Sequence, residues 1–210
     1  MSTPTPEDYF TRMYRDADDP WQLGNRWYEQ RKYALTVAAL PRERYRSGFE
    51  PACSAGVLSG LLADRCDRLL SCDRSPRAVA AARARLAGRG QVRVEQRLLP
   101  EQWPDERFDL VVLSEFLYYL GPDGLRDVLG RAVASLEPGG SLVAVHWRPP
   151  VAEHSQTGDA VHRAVRGTPG LVRIASHAEP DFLLDVLVRS APDGPVDPAG
   201  LSVAAAEGLR

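Results

Sequence analysis

The chain is poor in cysteine: Cys53, Cys66 and Cys72 are its only three in 210 residues, and no two stand in C-x-x-C spacing. An odd, scattered set excludes a disulfide framework and a zinc knot, and it suits a reducing compartment. No run approaches the ~20 consecutive apolar residues of a membrane span. The opening Met1-Ser2-Thr3-Pro4-Thr5-Pro6-Glu7 also lacks the basic and apolar regions of a signal peptide. A cytoplasmic protein without a membrane partner is therefore expected. Neither sign of charge dominates, since 26 basic and 28 acidic residues leave a net charge of -2, far from the positive field of a nonspecific nucleic-acid binder. Lysine is nearly absent, Lys32 standing alone among arginines. The run Arg74, Arg77, Arg83, Arg85, Arg89, Arg93 and Arg97 has no interleaved aromatic residue to stack on bases, so it reads as a solvated helix face. There is no internal repeat, and no feature sets an oligomeric state. What is present, 44% hydrophobic and 26% charged residues, is the composition of a folded chain, and one domain over 1–210 is expected.

Apolar spacing divides that domain. Thr5-Pro6-Glu7-Asp8 has the residues of a capped helix start, and Tyr9, Phe10, Met13 and Tyr14 share a face, predicting a helix to about residue 17. After a turn around Asp19-Pro20-Trp21, a second helix runs from about Asn25 to the stop at Pro41. Strands at 47–51, 68–72, 91–96, 108–114 and 141–146 then alternate with helices at 56–63, 76–88 and 123–136. Leu110 to Leu113 is apolar without alternation, as in a strand covered on both faces. The pattern is α/β, a Rossmann-like doubly wound, mostly parallel sheet. A helix at 159–166 and apolar runs at 171–175 and 182–188 predict an antiparallel edge pair near the C-terminus. Residues 1–41 are expected to form a helical lid, 46–190 the core, and the proline- and glycine-rich 191–210 a flexible tail.

Glu50-Pro51-Ala52-Cys53-Ser54-Ala55-Gly56 turns the first strand into the first core helix, and Asp73 ends the next strand. A small-residue turn admits a nucleotide-like ligand to the backbone, and an acid ~20 residues further on accepts hydrogen bonds from ribose hydroxyls. A pyrophosphate requires G-x-G-x-x-G at a helix N-terminus, but Ala52 and Ser54 hold the first two glycine positions and Glu50 would repel it. Glu50 instead suits the ammonium of an amino-acid-bearing cofactor, which favours S-adenosylmethionine over NAD. Cys53 reads as a packing residue, with no neighbouring His or Lys to activate it.

Glu50-x-Ala52-x-Ser54-x-Gly56, Asp73, Phe108-Asp109-Leu110-Val111 and Leu136-Glu137-Pro138-Gly139-Gly140 resemble the successive motifs of class I S-adenosylmethionine-dependent methyltransferases, across residues 46–146. More narrowly, six segments resemble the NodS-like group over about residues 7–190. They are Asp19-Pro20-Trp21, Trp27-Tyr28-Glu29-x-Arg31-Lys32-Tyr33, Trp103-Pro104, Ser114 to Leu120, His146-Trp147-Arg148 and Gly158 to His162. The resemblance implies methyl transfer; the namesake enzymes methylate the free amine of a de-N-acetylated chitooligosaccharide. It implies a cofactor set of Glu50, Ala52, Cys53, Gly56, Asp73, Arg74 and Ser114, with Leu98 and Leu99 holding adenine by backbone and apolar contact where the class often places an acid. Glycine is usual in the class at Ala52, and alanine there calls for a negative φ.

Ligands of open α/β sheets bind beyond the carboxyl ends of the strands, where Ser114-Glu115 and His146 lie. Glu115 is the candidate to orient an amine, stabilise the developing ammonium or accept its proton, and His146 the candidate second base. Trp21, Tyr28, Tyr118, Trp147, Arg148 and His162 are expected to contact a small acceptor such as an amino-sugar, and Arg31 to reach the cofactor carboxylate. His146, His154 and His162 recur at intervals that match no metal-ligand pattern, so no metal is expected. A hydroxyl acceptor, and a non-catalytic methyltransferase-like binding protein, are the alternatives.

Overall fold

Two helices, α1 (Glu7–Met13) and α2 (Trp27–Ala38), precede the sheet. Strands and helices then follow as β1 (Gly48–Pro51), α3 (Val57–Ala63), β2 (Leu69–Asp73), α4 (Pro76–Arg85), β3 (Val92–Gln96), β4 (Phe108–Ser114), α5 (Pro122–Ser135), β5 (Leu136–Trp147), α6 (Gly158–Arg166), β6 (Leu171–Ala178) and β7 (Phe182–Arg189). The computed structural model describes residues 5–190 and 202–209. Within the latter stretch Val203–Ala206 forms α7, capped by the Ser202 hydroxyl; residues 191–201 and 210 of the expected tail lie outside the described residues. No helix among the described residues is long and apolar enough to cross a membrane.

The seven strands are ordered β3-β2-β1-β4-β5-β7-β6. β1 to β5 are parallel, and β7 runs antiparallel between β5 and β6. The unalternating run in β4 explains its central place. Val111 and Leu113 pack toward α5 and α6, and Leu110 and Val112 toward α2 and α3, all four buried. Each such side chain contributes ~1.5–3 kcal/mol of burial, so the strand has no polar face to offer solvent. Asp109 is buried by design of the sheet's other edge: its two oxygens accept the Ser47 N–H at 2.8 Å and the Arg46 N–H at 3.0 Å, joining β4 to the chain entering β1.

Local signals held where they had no competitor. Ser75 caps α4 through the Ala78 N–H, with Pro76 in the first turn. Two expectations fail for tertiary reasons. Thr5 does not cap α1; its hydroxyl donates to the Glu153 carbonyl at 2.6 Å and its N–H to the Tyr119 carbonyl at 3.0 Å, drawing the N-terminal segment across the carboxyl edge of the sheet. The strand expected from 141 instead starts at Leu136, through a bulge with Gly139 at φ +74° and a register shift opposite Phe108 and Leu110. The loops after β1, β2, β4 and β5 thus converge on one edge, on either side of the switch between β1 and β4.

Candidate active site

After β1 the backbone turns left-handed three times, at Ala52 (φ +56°), Ser54 (+49°) and Gly56 (+72°). Only glycine fits at 56, where a Cβ would lie 3.0 Å from the Ala82 Cβ and 3.1 Å from its Cα. The negative φ expected of Ala52 is not found. Alanine here takes a glycine's conformation at a cost of ~1–2 kcal/mol, and the surrounding hydrogen bonds impose it. Cys53 N–H donates to the Cys72 carbonyl at 2.9 Å, Gly56 N–H to the Cys53 carbonyl at 2.9 Å, and Ser54 N–H to Asp73 Oδ2 at 3.0 Å. Asp73 Oδ1 accepts the Ser75 N–H at 2.9 Å. Burial raises the Asp73 pKa, and these amides, with Arg74, oppose the rise.

Glu50, 2% exposed, projects from β1 beside this loop, and one of its oxygens accepts the hydroxyls of Ser59 and of Ser71, the latter at 3.0 Å. Burial pushes its carboxyl up to about 7 against the pull of those two hydroxyls. Among the described residues no arginine or lysine pairs with it. A buried acid held only by neutral donors, beside a second acid at the next strand tip, fits a ligand that brings a cation and a ribose of its own. Burial drives the Cys53 thiol far above its ordinary range, as suits packing rather than reaction.

The N-terminal segment covers this end. The Tyr14 hydroxyl lies 2.6 Å from the Ser54 hydroxyl, Trp21 meets the Tyr14 ring edge-on at 5.6 Å, and the Arg74 guanidinium lies 5.3 Å from the Phe10 ring. Trp21 therefore packs beside the loop after β1 rather than at the ends of β4 and β5, because Asp19 accepts the Leu23 and Gly24 N–H groups and folds the turn back. Leu99 packs on the core, whereas Leu98 is 41% exposed and its N–H is taken by Gln102 Oε1 at 2.7 Å.

At the ends of β4 and β5 a different cluster forms. Ser114, half-buried, is the last residue of β4, and Glu115 follows at φ +58°. The Glu115 carboxylate accepts from Lys32 Nζ (2.6 Å), the Tyr118 hydroxyl (2.6 Å) and the Trp147 N–H (2.9 Å). Lys32 also pairs with Glu29 Oε2 at 2.9 Å. Burial works against the lysine's charge, but the two glutamates outweigh it and its pKa is raised. Tyr28 meets Trp147 edge-on at 5.4 Å, and its hydroxyl is buried without a hydrogen-bond partner. His154 stacks on Tyr118 with ring centroids 3.7 Å apart. Tyr28, Tyr118, Trp147 and His154 thus gather around Glu115.

The sequence reading missed Glu29, Lys32 and His154 as members of this cluster. A lone lysine one helical turn from a glutamate was the available signal for the first two.

Four other placements differ from expectation. His146 is fully buried: its Nε2 accepts the Leu117 N–H at 3.4 Å, and its Nδ1 lies 3.2 Å from His162 Nε2. With Nε2 accepting, Nδ1 carries the proton and donates to His162, whose Nδ1 in turn donates to Asp185 Oδ2 at 2.6 Å. Arg166 completes the chain at 2.8 Å from the same oxygen. Burial lowers the His146 pKa well below the imidazole range, and neither histidine has an edge free for an acceptor. Arg31 places both terminal nitrogens on Glu179, at 2.8 and 2.6 Å, in the turn between β6 and β7, instead of turning to the nucleotide loop. Arg148 bonds Asp159 at 3.0 Å and the Glu179 carbonyl at 3.1 Å, bracing the loop after β5. Among the described residues no group of three or more His, Cys, Asp or Glu side chains is arranged to hold a metal ion.

A sheet in this order, with one antiparallel strand beside β5 and a cleft lined by acids over β1, β2 and β4, is the class I methyltransferase fold. A family profile described as Nodulation protein S (NodS) matches residues 5–156, and the chain belongs to that family. Nodulation protein S of Rhizobium tropici is 33% identical over 129 residues, 60% of this chain and 54% of the relative. That of Sinorhizobium fredii is 30% identical over 129 residues, 60% of each. The match thus spans little more than half the length of these curated relatives. Among solved structures, the N-methyltransferase NodS from Bradyrhizobium japonicum WM9, in complex with S-adenosyl-L-homocysteine, superposes with a TM-score of 0.77 at 25% identity, covering 88% of this chain and 100% of that one. A Pseudomonas syringae structure is 50% identical with a TM-score of 0.70, covering 78% of this chain and 100% of that one.

Proposed function

We propose that the protein is an S-adenosylmethionine-dependent methyltransferase whose acceptor is the amine of a small polar molecule, with an amino-sugar as the first candidate. The observation that carries the reading is the division of the cleft into a cation-seeking end, Glu50 and Asp73, and an anchored carboxylate, Glu115, at the neighbouring strand tip. Family membership and the cofactor product bound to the Bradyrhizobium relative support it.

When bound, the cofactor supplies a methyl group on a cationic sulfur, which an amine lone pair takes by in-line displacement. The chain's own part is binding and alignment. Asp73 accepts from the ribose hydroxyls, Glu50 faces the ammonium, and the loop from Ala52 to Gly56 brings the backbone close. Phe10, Tyr14 and Trp21 exclude water above them, which is the lid role of residues 1–41. Glu115 orients the acceptor nitrogen and takes its proton, while Tyr28, Tyr118 and Trp147 wall the acceptor. A hydroxyl acceptor would lack the second base that His146 was expected to supply, because that ring is sealed in its relay. The three buried, free thiols fit the cytoplasmic location that belongs to the same proposal.

The test is calorimetry with S-adenosylhomocysteine, followed by mass spectrometry of de-N-acetylated and fully acetylated chitooligosaccharides incubated with trideuteromethyl-labelled cofactor. The expected result is saturable binding, with label only on the free-amine oligomer. No binding up to millimolar ligand overturns the enzyme reading. Binding without transfer to any amine favours the non-catalytic alternative.

A further inference from the structure

Lys32 is the one lysine of the chain and is 2% exposed. A buried ammonium is tolerated only when paired, and here it stands between Glu29 and Glu115 at 2.9 and 2.6 Å, with the Tyr28 ring centroid 4.9 Å away. In a chain that otherwise uses arginine, this position takes the compact point charge rather than the planar fork. Glu115 offers about four lone-pair sites, and Lys32, Tyr118 and the Trp147 N–H fill three. The remaining site is on Oε1, the oxygen that Lys32 holds. The unpartnered Tyr28 hydroxyl is part of the same cluster.

Resting on the methyltransferase reading, we propose that Lys32 is a positioning and specificity residue that clamps Glu115 as the anion meeting a protonated amine, with the Tyr28 hydroxyl as the second contact to the acceptor. The acceptor arrives as an ammonium; one N–H proton passes to the open site on Glu115, and the nitrogen keeps the electron pair that would form the new N–C bond as the sulfur–methyl bond of the sulfonium breaks, its pair staying on the sulfur of the departing neutral thioether. Two carboxylates sharing one cation repel acceptors that carry a carboxylate or phosphate beside the nitrogen. The titratable groups facing this pair are Tyr28, Glu29 and Tyr33 from α2, Tyr118 and Tyr119 after β4, His146 from β5, His154 beyond it, and Glu179 and Asp181 across from Tyr28. Of these, Glu29 alone contests Lys32 with Glu115.

Because there is one lysine, protein made with isotope-labelled lysine gives a single side-chain ammonium signal. In the wild type that signal is expected to stay in its charged position from about pH 6 to about pH 10, and in Glu115→Gln to begin titrating inside that window. De-N-acetylated chitooligosaccharide should shift it and the fully acetylated oligomer should not. Identical titration in both proteins, or no response to the amine, overturns the clamp.

Turnover provides the second arm. Lys32→Met leaves two facing carboxylates that share a proton, so the acid limb of kcat/KM moves up by about one pH unit. Lys32→Met with Glu29→Gln moves it back. An equal loss at every pH means a structural role only and overturns the proposal. Affinity for S-adenosylhomocysteine should stay within about threefold in Lys32→Met, since the lysine lies outside the nucleotide end. If the wild type binds none, the methyltransferase reading fails, while the lysine signal still decides the clamp.

Discussion

The two ends of the cleft hold their acids by opposite means. At the β1 and β2 end, Glu50 and Asp73 are bonded by hydroxyls and backbone amides, and Arg74 only tempers Asp73. At the β4 and β5 end, Glu115 is gripped by a buried lysine that is itself shared with Glu29. Neutral donors leave a buried carboxylate short of a counter-charge, so that end waits for a cationic ligand. An internal cation removes that need, so the other end presents a carboxylate already set in direction. In the proposed function the first end captures the cofactor and the second aligns the acceptor.

The comparison breaks most sharply at Glu115. Glu115→Gln is expected to lower methyl transfer by ~100-fold or more, with affinity for S-adenosylhomocysteine unchanged, because a general-base or orienting carboxylate typically contributes 10²–10⁴-fold. Equal loss in both quantities would show that the ends are not separate. Asp73→Ala should do the converse, weakening S-adenosylhomocysteine by ~1–3 kcal/mol through the lost ribose hydrogen bonds; unchanged affinity in calorimetry refutes its role.

A pH experiment sharpens the same contrast. Glu50 rises from 4.5 to about 7 on folding, so the fold favours its protonated form. Stability from this group is full below about 4.5 and is lost as pH rises through about 7. Thermal midpoints should show that decline, and Glu50→Gln should flatten it; an unaltered slope in the variant sinks the assignment. A ligand ammonium that pairs with Glu50 restores its charge, so binding near neutral pH should release a proton, seen as heats that depend on the buffer. The smallest effect belongs to Ala52→Gly, which relieves the φ of +56° but gives the unfolded chain more freedom. A net gain of about 0.5 kcal/mol, or about 1–2 °C in the melting midpoint, is expected, and destabilisation would mean that the Cβ packs usefully.

Much of the nucleotide end was legible in the sequence, because strand tips follow from local periodicity and the acids at 50 and 73 sit on consecutive strands. Glu115 was legible for the same reason. Lys32 was not, because its partner lies 83 residues away and only the docking of α2 on the sheet brings them together. His146 was misread because the group that occupies it, His162, is itself committed to Asp185 on β7, and no spacing along the chain announces that relay. Arg31 was drawn to the wrong carboxylate, since nothing local places Glu179 beside it.

The sequence by itself determined the strand and helix alternation, the buried central strand and the acids at the strand tips, for these depend on periodicity and on residues adjacent in the chain. Only the tertiary structure decided which charges are paired, which histidines are sealed and which carboxylate stands without a cation. Ion pairs and burial are properties of packed neighbours, and packing joins residues that the chain keeps far apart.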